Sequence, residues 1–169
     1  MKRYVLDAIA VHRYLTKGPG IERLDRLFAE AQRGEASLSM SVINRGEVLY
    51  NLAKRAGMLE AARALRTISH YVESVDVTEE HANSAATLKF IYKLGYADCF
   101  AADLAIRIGA TLVTADRDFV KLGKQLKVLA LPRYSGTFNP PWNRMKARAP
   151  GPLHSLSSRT DPASISKGS

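Results

Sequence analysis

The chain has 169 residues, 46% of them hydrophobic, and carries 25 Lys and Arg against 16 Asp and Glu for a formal net charge of +9. That length is one domain with room for a substantial core, and the basic excess makes polyanions a natural partner class. A lone cysteine, Cys99, excludes an intramolecular disulfide, and no apolar run approaches the ~20 residues of a membrane span, so a cytosolic, membrane-free protein is expected.

The opening "RYVLD" is a short run of strand formers, and "IAVHRYL" and "IERLDRLFAEAQRG" have helical spacing, the second closed by Gly34. "ASLSMS" reads as a second strand. After it, "VINRGEVLYNLAKRAG" and "MLEAARALRTISHY" are two helices divided at Gly57. "VESVDV" is a third strand, and Glu79 and Glu80 enrich the first turn of a helix that Gly95 is expected to end. "LGYADCFAADLAIRIG" is the next helix, closed by Gly109, followed by "ATLVTAD" and "LKVLAL" as fourth and fifth strands. Strands alternating with helices predict an α/β domain, a mostly parallel sheet of four to five strands flanked by helices.

From Arg133 the texture changes. The segment 133–169 is rich in Pro, Ser and Gly without sustained periodicity, and it holds six basic residues against one acid, Asp161. It reads as a disordered basic tail on a domain spanning 1–132, and no internal repeats are present.

Ligands of an open parallel sheet bind outside the carboxyl ends of its strands. Asp7 directly follows the first strand, and Asp116 comes two residues after Thr114, which closes the fourth. Asp98 lies in the first turn of its helix, bordering a stripe through Ala97, Ala101, Leu104 and Ile108. Free backbone N–H groups and the helix dipole tolerate a carboxylate there. Taken singly, Asp98 also reads as an N-cap, and Asp7 and Asp116 as turn formers at strand ends.

Two other acids read differently. Asp103 falls round the far side of its helix, four residues before Arg107, and is expected on the surface in an ion pair. Glu47 lies opposite the stripe Leu49, Leu52, Ala53 and Ala56, so periodicity sends it to solvent, although it begins a helix at the same end of the sheet.

Carboxylates within about 5 Å repel by roughly 3 kcal/mol per pair at an effective dielectric of 20, so such a cluster needs protons or a cation. Oxygen ligands without Cys or His at zinc spacing favour Mg2+ or Mn2+. A metal so held orients a nucleophilic water and steadies a leaving oxygen, which is phosphodiester hydrolysis. Arg117, Lys121, Lys124 and Lys127 follow Asp116 and could meet a phosphate backbone, though as a charge run they read first as a solvated helix face. The histidines are scattered, and neither G-x-S-x-G nor a phosphate-cradling glycine loop is present.

Together "YVLDAIAV", "SVINRGEVLYNL", "LGYADCFAADLAIRIGATLVTADRDF" and "VLAL" resemble the PIN-domain ribonucleases, especially the VapC-like toxins of toxin–antitoxin pairs, over about residues 2 to 132. The resemblance implies a PIN-like three-layer sandwich, a Mg2+- or Mn2+-dependent endoribonuclease acting on RNA, a homodimer, and neutralisation by a cognate antitoxin. It also implies that Asp7, Glu47, Asp98 and Asp116 are the catalytic acids. Asp7 and Asp98 would hold the metal, Asp116 would complete the shell, Glu47 would activate water, and Thr114 would position phosphate or water. Ile9, where a small polar residue is common, and Asp103, where alanine is usual, depart from the pattern. The rival readings are a catalytically silent PIN-like module that binds RNA or protein, and a phospho-receiver domain. The latter lacks the acid pair expected after its first strand.

Overall fold

In the computed structural model, residues 1–132 are described; the tail expected over 133–169 lies outside the described residues. The elements run β1 (Lys2–Leu6), α1 (Ala8–Leu15), α2 (Ile21–Gln32), β2 (Ala36–Ser41), α3 (Val42–Ala56), α4 (Met58–Ile68), β3 (Val72–Val75), α5 (Glu79–Tyr92), α6 (Tyr96–Arg107), β4 (Thr111–Thr114), a 3-10 helix (Asp118–Gln125) and β5 (Lys127–Ala130). All five strands are parallel, in the order β3-β2-β1-β4-β5. The expected α/β architecture and all five strands are present. Among the described residues no helix is long and apolar enough to cross a membrane.

Alternation along the strands splits the core into two layers. Leu6, Leu38, Met40 and Val113 pack on one face with Leu24 and Phe28 of α2, Val48 of α3 and Leu65 of α4. Val5 and Leu112 pack on the other with Ala101, Ala105 and Phe119. Helix α6 is buried nearly all round, from Cys99 to Ala105, and its alanines let it lie close against β1, β2 and β4.

Two helix ends differ from the expectation. Helix α5 stops at Lys93, which takes the left-handed conformation (φ 58°), and Gly95 is instead the N-cap of α6. The most buried line of α3 runs through Asn44, Val48 and Leu52, with the expected Leu49 and Ala53 partly buried beside it, because α3 is covered by α1, α4 and α6 together.

The strand order sets the location of a site. Chain connections leave β1 in one direction to β2 and β3, and in the other to β4 and β5, so β1 and β4 are neighbours whose following segments diverge. A crevice opens at their carboxyl ends. Helices α3 and α6 run back against the sheet, which puts their N-termini at the same edge.

Candidate active site

Asp7 leaves β1 at this crevice as the N-cap of α1, its carboxylate accepting the Ala10 N–H at 2.6 Å. Its own N–H donates to Val113 O at 3.2 Å, which ties it to the end of β4. The side chain is buried, and burial pushes its pKa up to about 7; hydrogen bonds from Thr114 and Ala10 oppose this, and Asp98 and Asp116 add to it.

Thr114 is fully buried between the two strand-end acids. Its hydroxyl oxygen accepts the Asp116 N–H at 2.9 Å while the group bonds to the Asp7 carboxylate, so its proton goes to Asp7. Its reach is therefore toward the acids and not into solvent. Thr114→Val keeps the shape and removes the hydroxyl, leaving the Asp116 N–H without this acceptor. We expect a loss of about 1–3 kcal/mol in urea unfolding, restored by Thr114→Ser.

Asp116 accepts the Asp118 N–H at 2.8 Å, an Asx turn that aims the chain into the 3-10 helix. Asp98 sits three residues into α6 and accepts the Gly95 N–H; burial, then Asp116 and Asp118, push its pKa up, while Lys89 opposes them. Gly95 is there for space, since a side chain on it would collide with the Asp98 carboxylate. Glu47 is half-buried, and burial followed by the charge of Asp98 raises its pKa. The solvent placement read from periodicity is thus corrected, because α6 covers that flank of α3.

The four acids named from the resemblance therefore act on one another electrostatically at one sheet edge. Asp118, which was not singled out, belongs to the same neighbourhood and pairs with Lys121 at 2.9 Å. Asn44 was missed as well. It is fully buried, its Nδ2 donates to Ala97 O at 3.0 Å, and its Oδ1 has no hydrogen-bond partner among the described residues. That bond ties the first turn of α3 to the first turn of α6, fixing Glu47 relative to Asp98. The available signal was an amide three residues before Glu47 on one helix face.

Asp103 is corrected. The ion pair with Arg107 forms at 3.2 Å, but the carboxylate is buried, 6% exposed, because α6 is a core helix with no free face at that point. Arg107 also binds Glu80 at 2.9 Å, so the extra charge is neutralised away from the crevice. Ile9 is exposed on α1 and takes no part in the hydrogen bonds of Asp7.

Among the described residues, no three acidic, imidazole or thiol side chains converge as a ready metal cage. Asp7, Asp98 and Asp116 each turn an oxygen to a local backbone N–H. The donor set nevertheless fits a hard cation. It is all oxygen, burial and neighbouring negative charge raise the pKa values of Asp7 and Asp98, and Asn44, bonded to the first turn of α6, holds a buried carbonyl oxygen with no hydrogen-bond partner among the described residues. Mg2+ and Mn2+ ask for one or two such carboxylates and keep several waters, so no closed cage is required.

The PIN-domain family model matches residues 4–125. No curated protein sequence matches the chain. Among solved structures, similarity extends to a VapBC complex from Rickettsia felis bound to promoter DNA, with 20% identity over 77% of this chain and 99% of that one and a TM-score of 0.63. A DNA-bound VapBC from Salmonella typhimurium shares 18% identity over 77% and 98%, with a TM-score of 0.62. A VapC toxin from Mycobacterium tuberculosis, described as cleaving the sarcin–ricin loop, shares 19% identity over 76% and 99%, with a TM-score of 0.59.

Proposed function

The chain belongs to the PIN-domain family, and from that premise we propose that it is a metal-dependent endoribonuclease, the toxin half of a toxin–antitoxin pair. Residues 1–132 are the nuclease domain in this reading, with 133–169 an appendage. The observation that carries it is the gathering of Asp7, Glu47, Asp98 and Asp116 at the sheet's switch point, where the charge of Asp98 reaches Asp7 and Glu47 and the charge of Asp116 reaches Asp7 and Asp98. A protein that only bound a polyanion would gain nothing by collecting negative charge there.

Asp7 and Asp98 would hold Mg2+ or Mn2+, with Asp116 completing the shell. The ion supplies charge stabilisation at the scissile phosphate and a water of lowered pKa. Glu47, its own pKa raised, is suited to take a proton from the attacking water. Thr114 holds the Asp7 carboxylate and the Asp116 backbone in register, and Gly95 leaves room for Asp98. The kinship with VapBC complexes supports an antitoxin partner and an RNA substrate, and a homodimer is the assembly proposed with them.

The test is RNA cleavage that requires Mg2+ or Mn2+ and stops with EDTA. Saturating Mg2+ should also raise the wild-type melting temperature more than that of Asp7→Asn, by mass action on the folded state. Equal shifts would place the ion elsewhere.

A further inference from the structure

At the junction of α5 and α6 lies an open hollow of about 710 Å3 lined by Ala86, Lys89, Phe90, Lys93 and Tyr96. The first four recur at helical spacing and share one face of α5, and Tyr96 joins them from the first turn of α6. Two aromatic rings stand open here together, Phe90 at 75% exposed and Tyr96 at 46%. Each has a fixed neighbour. Lys93 Nζ stands 4.8 Å from the centre of the Phe90 ring, and Tyr96 meets the buried Phe100 ring edge-on at 5.0 Å.

A single peptide unit joins this hollow to the acids. Lys89 Nζ donates to Leu94 O at 3.2 Å, and the N–H of the same Leu94–Gly95 peptide is the one that Asp98 accepts. The charge of Lys89 reaches Asp98 as well. Whatever lies in the hollow therefore borders the crevice. No acid lines it, and among the described residues neither Lys89 nor Lys93 forms an ion pair. The face offers rings and unneutralised ammonium groups side by side.

We propose that this hollow is a subsite for single-stranded RNA, in which a base flanking the scissile phosphate stacks on Phe90 and Lys93 meets the backbone phosphate beside it. The subsite rests on the nuclease reading and adds to it the surface that holds the substrate next to the cut. Rings interleaved with cations match a polyanion whose bases have π-faces. Base pairing would close those faces inside a duplex, so the match is to unpaired RNA. Positive charge here also offsets the repulsion that the acids exert on an approaching phosphate. A second copy of the chain suits the hollow less, because a two-fold contact would set Lys89 and Lys93 against a face of their own sign.

The test is the binding of a fluorescein-labelled single-stranded oligoribonucleotide to the full-length protein in EDTA, followed by cleavage kinetics in Mg2+. Phe90→Ala and Phe90→Leu should each weaken binding about tenfold while Phe90→Trp keeps it, because stacking needs an aromatic face and not merely apolar area. Lys93→Ala should lower the slope of log Kd against log salt by about 0.7, one phosphate contact on a single strand. Arg66→Ala, exposed on α4 outside the hollow, should leave affinity and slope in place. In cleavage, Phe90→Ala should raise KM with kcat near the wild-type value, since the ring touches no reacting atom. Equal affinity and equal KM in the wild type and Phe90→Ala overturn the subsite, and cleavage by both would leave the nuclease reading standing. A wild type that neither binds nor cleaves the RNA removes both. Full binding by Phe90→Leu, or a dimer that Phe90→Ala splits into monomers, assigns the hollow to a protein contact and also overturns the proposal.

Discussion

Asp98→Asn lowers Mg2+-dependent RNA cleavage by at least about a hundredfold, because losing one carboxylate from a metal site forfeits several kcal/mol of transition-state stabilisation and a hundredfold is about 2.7 kcal/mol. The substitution separates charge from shape. Asparagine keeps the oxygen that accepts the Gly95 N–H at the start of α6, and it fits the space that Gly95 leaves open. It removes only the charge that Asp116 and Asp118 oppose, so the variant should melt no lower than the wild type without metal. Single-turnover cleavage at saturating Mg2+, beside a melting curve in EDTA, makes the distinction. A rate within a few-fold of wild type in a folded Asp98→Asn would remove Asp98 from the chemistry.

Strands and their order of appearance were legible because each is a short run of strand formers bounded by turn residues, and the acids at β1 and β4 follow from strand ends alone. Helical periodicity failed where a helix is covered on more than one side. Helix α6 has no solvent face along Cys99–Ala105, so Asp103 is buried with its Arg107 partner although the spacing of the pair was correct. On α3 the buried stripe includes the polar Asn44, which a hydrophobicity pattern cannot count, and the stripe was misplaced by a fraction of a turn that moved Glu47 away from the crevice. Glu47 was recovered through family resemblance alone. Gly95 was taken for the end of α5, since a glycine between helices can serve either neighbour; its clearance for the Asp98 carboxylate is a tertiary fact.

Asp7→Asn should become progressively more stable relative to the wild type as pH rises from about 4 to about 8 in EDTA, by as much as about 4 kcal/mol. The Asp7 carboxyl is pushed up to about 7 by burial, with Asp98 and Asp116 adding to it, against an ordinary value near 4 in the unfolded chain. Folding therefore binds a proton within that window. The wild type's stabilisation from Asp7 is fully present below about pH 4, falls as pH rises, and is gone above about 7, where the folded state must hold a buried anion. Asparagine has no proton to lose, and its carbonyl oxygen can still accept from Ala10 N–H, so the contribution of Asp7 vanishes from the variant's pH curve. Glu47 and Asp98, also raised, bend both curves in the same direction and largely cancel in the difference. Urea unfolding of both proteins at several pH values gives that difference directly. A difference that stays flat between pH 4 and 8 would mean that Asp7 ionises as readily in the folded protein as in the unfolded chain. A buried, charge-crowded carboxylate next to Asp98 and Asp116 could not behave that way.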